Sequence, residues 1–132
     1  MKHIDHIGIA VKSLAAALPV FEKLLNTKCY KTEVVDAENV TTAFLKTGET
    51  KIELLENDSE TGPIAKFIDK RGEGLHHIAF EVDDINAEIQ RLESEGFIVI
   101  NKPRRGADNK LICFLHPKNT HGVLIELCQS VQ

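Results

Sequence analysis

The chain has 132 residues, 42% hydrophobic and 27% charged, with a formal net charge of −4. That is enough for one domain with its own core, and the acidic balance argues against general nucleic-acid binding. No apolar run approaches the roughly 20 residues that span a bilayer. The opening MKHIDHIGIAV lacks the apolar core and small-residue cleavage site of a secretory signal, so a cytoplasmic protein without membrane contact is expected.

Elements follow from hydrophobic period. Residues 3–11 alternate as a strand. Ser13 is placed to cap a helix running to about Leu25, with Leu14, Leu18, Phe21 and Leu25 on one face. Pro19 lies inside it, where it costs about 3 kcal/mol or bends the helix. Strands are expected near 29–35, 40–46 and 50–56. TGPIAKFIDKRG then reads as a short helix, with Pro63 in its first turn and Gly72 ending it. The order begins again with a strand over 75–82 and a helix over 84–95, capped by Asp83 or Asp84. Ile85, Ile89 and Leu92 line that helix and Gly96 stops it. Strands near 97–100, 111–115 and 122–129 complete the second round.

A strand, a helix and three strands therefore occur twice, and the residues repeat with them. A shift of 71 lays HIGIAV (6–11) on HIAFEV (77–82). A shift of 70 lays Phe44-Leu45 on Phe114-Leu115, and a shift of 73 lays IEL at 52–54 on IEL at 125–127. The expected fold class is α+β, with two paired βαβββ modules in one domain over 1–132. Module one covers about 1–72 and module two about 73–132.

Both copies put a His on the first strand and a Glu on the last: His6 with Glu53, His77 with Glu126. Strand period sets His6, Gly8 and Ala10 on one face, opposite Ile7, Ile9 and Val11. The small neighbours leave space before each imidazole. Glu53 and Glu126 sit within apolar runs, where a lone carboxylate tends to protonate and a cation removes that cost. Two imidazoles and two carboxylates suit a divalent transition metal and leave two positions open. His76, beside His77, faces the other way by parity and aligns with Asp5. His3, His116 and His121 lie outside the repeat and read as structural. Cys29, Cys113 and Cys128 are odd in number and lack CxxC spacing, so buried small side chains are expected of them.

The stretches DHIGIAV, KIELLE, GPIAKFIDKRGEGLHHIAFEVDDI and FLHPKNTHGVLIEL resemble the vicinal oxygen chelate superfamily and, more narrowly, its methylmalonyl-CoA epimerase family. The resemblance implies a cupped, barrel-like mixed sheet around a metal, held by His6, Glu53, His77 and Glu126. It implies a divalent ion, cobalt first and otherwise nickel, manganese or zinc. It also implies an acyl-CoA substrate and a homodimer. The implied reaction interconverts (R)- and (S)-methylmalonyl-CoA by removal and return of the α-proton through a metal-stabilised enolate. Glu126 is the first candidate for acid/base work. Some family members carry a non-ligand Glu where this chain has Thr42, which makes Glu53 the candidate for the second acid/base role. Between 102 and 118 stand five basic residues, Lys102, Arg104, Arg105, Lys110 and Lys118, against one acid, Asp108. Arg104, Arg105 and Lys110 are the candidate contacts to the coenzyme A phosphates. Two rivals share the fold. One is lactoylglutathione lyase (glyoxalase I) chemistry, and the other is non-catalytic ligand binding.

Overall fold

The computed structural model describes residues 1–35 and 39–131. Its contacts divide the chain into two compact units, His6–His76 and a second made of Met1–Asp5 with residues 77 onward.

The first unit is built on β1 (His3–Ala10), α1 (Leu14–Leu25), β2 (Lys31–Val35), β3 (Val40–Thr47), β4 (Thr50–Asn57) and α2 (Pro63–Arg71). Its strands lie in the order β2-β3-β4-β1, with β1 and β4 parallel and the other pairs antiparallel. Ser13 caps α1 by accepting from the Ala16 N–H at 3.2 Å, and Asn26 ends it in the left-handed conformation. The expected face holds. Leu14, Leu18, Phe21 and Leu25 pack on Val11, Ala43, Leu45 and Leu54. Ala10, Val40 and Leu55 instead pack with Ile64, Phe67 and Ile68, of which Ile64 is the buried residue of α2.

The second unit carries β5 (Gly74–Glu81), α3 (Ile85–Ser94), β6 (Arg104–Arg105), β7 (Lys110–Leu115) and β8 (Ile125–Ser130). Its order is β5-β8-β7-β6, with β5 and β8 parallel and the other pairs antiparallel. Asp84, not Asp83, caps α3, accepting from Asn86 and Ala87 at 3.1 Å. Ile85 and Leu92 enter a core with Val82, Cys113, Leu115 and Leu127, flanked by Ile89. Each round of the chain is thus a βαβββ module.

Three strand limits differ from expectation. Residues 97–100 make only a lone bridge, Val99 to Leu115. Beyond it the Asn101 side chain accepts the Phe114 N–H at 3.0 Å, taking a place that a backbone carbonyl would fill in a ladder. The edge passes instead to the two-residue β6. β8 begins at Ile125 because His121 and Gly122 both have positive φ and close a turn there. β2 begins at Lys31 because the Cys29 N–H is drawn back to Glu22 at 2.8 Å. Among the described residues, no helix is long and apolar enough to cross a membrane.

Candidate functional site

In the first unit, the β1–β4 register sets Gly8 beside Glu53, and the β3–β4 register sets Phe44 on its other side. Directly paired residues share a sheet face, and so do residues two apart along a strand. His6 therefore leaves the face that carries Glu53. Its Nδ1 lies 3.1 Å from Glu53 Oε2, and the two residues are only 5% and 3% exposed.

The second unit repeats this arrangement. Ala79 pairs with Glu126 from one side and Phe114 from the other. His77 Nε2 lies 3.3 Å from Glu126 Oε1, and the His77 ring meets Phe114 edge-on at 6.0 Å. Both residues are buried. The β-sheet register has thus built the same pair twice, from the residues that the internal repeat aligns.

Two donor atoms each about 2.1 Å from one ion, and roughly 90–105° apart as seen from it, lie about 3.0–3.3 Å from each other. Both His–Glu separations match that figure. They also suit an imidazole N–H donating to a carboxylate, and no buried side-chain N or O among the described residues lacks a partner. The nearby sulfurs are poor donors. Burial, with a further push from Glu126, raises the Cys113 thiol to about 11. Burial raises the Cys128 thiol as well, with added pushes from Asp5 and Glu126. Both stay protonated at neutral pH, which leaves an N/O donor set of the kind a divalent transition ion takes.

His76 follows its parity. Its ring packs edge-on against Phe67 of α2 at 4.9 Å, and burial holds its pKa down at about 4. The remaining histidines do structural work. His3 Nε2 stands 3.8 Å from Glu81, His116 Nδ1 accepts the Lys118 N–H, and His121 closes a turn.

The basic loop separates by face. On β6, Arg104 pairs with Ile112 and Arg105 with Leu111, so the two leave opposite faces. Ile112 clusters with Ala79 and Cys128, on the face that carries His77, whereas Leu111 packs into the core against α3. Arg105 is tied to the Asn109 side chain. Lys110 does not stand out as a phosphate contact. It is buried, with Nζ 2.9 Å from Glu81, 2.8 Å from Ser130 and 3.4 Å from Asp5.

A family model for the glyoxalase/bleomycin resistance protein/dioxygenase superfamily matches residues 5–114. The chain belongs to that superfamily. The ethylmalonyl-CoA/methylmalonyl-CoA epimerase of Cereibacter sphaeroides is 39% identical over 129 residues, covering 96% of each chain. A variant of the Streptomyces coelicolor methylmalonyl-CoA epimerase, solved with 2-nitronate-propionyl-CoA, is 37% identical with a TM-score of 0.94. The match covers 100% of this chain and 99% of that one. A hypothetical protein from Bacillus halodurans is 47% identical, with a TM-score of 0.95 over 98% of this chain and 94% of that one.

Thr42 is 1% exposed and lies two residues from Phe44, on the face that carries Glu53, directly opposite Glu33 on β2. Directly paired residues share a face, so the Glu33 carboxylate stands beside the Thr42 hydroxyl on the face that carries Glu53. The Lys110–Glu81–Asp5–Ser130 network was not anticipated from the sequence. Its signal was present in KLICFL, where alternation puts Lys110 with Ile112 and Phe114 on the inward face.

Proposed function

We propose that the chain interconverts (R)- and (S)-methylmalonyl-CoA by exchanging the proton at C2, and that His6, Glu53, His77 and Glu126 together hold the divalent ion the reaction uses. The observation that carries this reading is the buried His–Glu pair built twice in matching register, at 3.1 and 3.3 Å. The named activities of the Cereibacter and Streptomyces relatives support it, as does the acyl-CoA analogue bound by the latter.

A proton α to a thioester is weakly acidic, and the neighbouring free carboxylate makes its removal harder. These four residues would hold the divalent ion, whose positive charge would offset the negative charge that collects on the thioester as the proton leaves. Glu126 takes or returns the proton on one side of C2, and Glu53 does so on the other. Thr42 takes no part, because its hydroxyl is not a base at neutral pH. When one carboxylate accepts the substrate proton, the other donates one to the opposite side. The proton arriving on the product therefore comes from a group that has exchanged with water. Arg104 and Arg105 are the contacts proposed for the coenzyme A phosphates. A homodimer in the cytoplasm is part of the same reading.

Supplying the (S)-ester alone and following the (R)-ester tests the proposal. Appearance of the (R)-ester with metal-loaded protein supports it, and its absence contradicts it. Glu53 as second base also fits lactoylglutathione lyase chemistry. Turnover of the glutathione hemithioacetal without epimerisation of the ester favours that reading instead.

A further inference from the structure

The two units treat the same aromatic residue differently. Phe44 and Phe114 fall on matching places of the internal repeat, and each pairs directly with the Glu of its own unit, Glu53 or Glu126. Phe44 is fully buried. The edge strand β2 reaches it, so that Lys31 pairs with Phe44 and sets its Nζ 4.6 Å above the ring. Tyr30 tilts against the same ring at 6.0 Å.

Phe114 is only partly buried. Its edge strand β6 pairs no further along β7 than Ile112 and stops short of it. The Ile100 N–H donates to the Phe114 carbonyl at 2.8 Å, and the Asn101 side chain accepts the Phe114 N–H, so the peptide groups are satisfied without a covering strand. Ile100 stands where the repeat puts Tyr30, and it is 52% exposed.

Around Glu126 this leaves one wall with apolar surface to offer. Ala79 beside it and Cys128 two residues along β8 are both fully buried. The Phe114 ring packs on these two and on Ile112, and it meets His77 edge-on at 6.0 Å. Directly paired residues have Cβ atoms about 5 Å apart on one face, so a group bonded to the carbon that Glu126 serves comes within reach of this ring.

We propose that Phe114 is the wall against which the 2-alkyl group of the substrate packs, and that it sets the size of alkyl group the site accepts. The assignment rests on the epimerase reading. An epimerase must hold both epimers, so its apolar contact belongs on the group that stays in place while the proton changes side. A ring flanking the carboxylate gives the alkyl group a broad apolar surface throughout the exchange and takes no part in the proton transfer.

The test is the ratio of kcat/KM for ethylmalonyl-CoA to that for methylmalonyl-CoA, with metal-loaded protein and chiral analysis of the esters. A ratio taken within one preparation does not depend on the fraction of protein that is folded. Phe114→Ala opens space beside Glu126 and is expected to raise the ratio about tenfold, the scale of one methylene in an apolar pocket. Phe114→Leu is expected to raise it less. Phe44→Leu, the matching change where the ring is already covered, is expected to leave the ratio as it is even where turnover falls. An unchanged ratio in Phe114→Ala, or an equal rise in Phe44→Leu, overturns the assignment. Butyryl-CoA and propionyl-CoA carry the same two alkyl groups without the free carboxylate. Their calorimetric affinities read the ratio in a variant that has lost turnover, and an unshifted ratio there also overturns the assignment. If the unmodified protein epimerises neither ester, the functional reading fails and this assignment fails with it. If it epimerises methylmalonyl-CoA and the ratio does not respond at Phe114, only the assignment fails.

Discussion

Gly8 lies directly beside Glu53 in the parallel β1–β4 register, so the smallest side chain in the strand stands next to the carboxylate that meets His6 at 3.1 Å. Ala79 stands beside Glu126 in the same way. Each module thus sets a small residue beside a buried imidazole–carboxylate pair.

Metal affinity follows from which face each histidine leaves. His77→Ala removes a donor that touches Glu126 and is expected to lower cobalt affinity by 100-fold or more. His76→Ala removes a ring packed on Phe67 and leaves metal affinity nearly unchanged. Titration of both variants with cobalt, followed spectroscopically, checks this. Equal loss in the two overturns the face assignment.

The acid/base assignment predicts unequal effects at three positions. Glu126→Gln keeps an oxygen donor and nearly the same shape but lowers turnover about 10²-fold or more, the usual scale for a lost general base. Glu53→Gln blocks conversion between epimers while leaving solvent exchange of one epimer measurable. Thr42→Val, which changes a buried hydroxyl to a methyl, is nearly silent in turnover. A crippled Thr42→Val beside a healthy Glu53→Gln places the second base elsewhere.

The faces of β6 separate two arginines that look alike in sequence. Arg104 shares a face with Ile112 and Cys128, whereas Arg105 is tied to Asn109. Arg104→Ala is expected to raise KM for the ester about fivefold or more with little change in kcat, because a phosphate contact is similar in ground and transition states. Arg105→Ala is expected to do less. Steady-state kinetics of the two single variants decide it, and equal effects contradict the difference between faces.

Stability in acid depends on Glu81. Its hydrogen bond from Lys110 holds its carboxyl below the ordinary value of 4.5, aided by one from Ser130 and opposed by burial. A depressed carboxylate stabilises the fold above its unfolded value, and that contribution is lost as pH falls through the folded value. Chemical denaturation from pH 6 downward is therefore expected to show stability falling below about 4.5, with a shallower fall in Glu81→Gln. An identical slope in the variant removes Glu81 from the acid limb.

The sequence carried the module order, the helix faces and the four pair residues, because each rests on a period or on the internal repeat. Leu14, Leu18, Phe21 and Leu25 needed only a spacing of three to four, and His6 with Glu53 needed only their matching copies. The late start of β8 and the loss of a strand at 97–100 depend on particular hydrogen bonds, such as Asn101 to Phe114, that no period announces. Lys110 was misplaced for another reason. It falls in a stretch, 102–118, that carries five basic residues, but its partners Asp5, Glu81 and Ser130 are distant along the chain. The row from Lys31 through Phe44 to Glu53 likewise exists only once the register is fixed.

The most direct measurement is incubation of metal-loaded protein with (S)-methylmalonyl-CoA in deuterated water, followed by mass and chiral analysis of the ester. The predicted result is (R)-ester carrying deuterium at C2 from the first turnovers, abolished by chelation and restored by cobalt, nickel or manganese. An ester recovered wholly as the (S) form without deuterium, from protein shown to contain metal, contradicts the account.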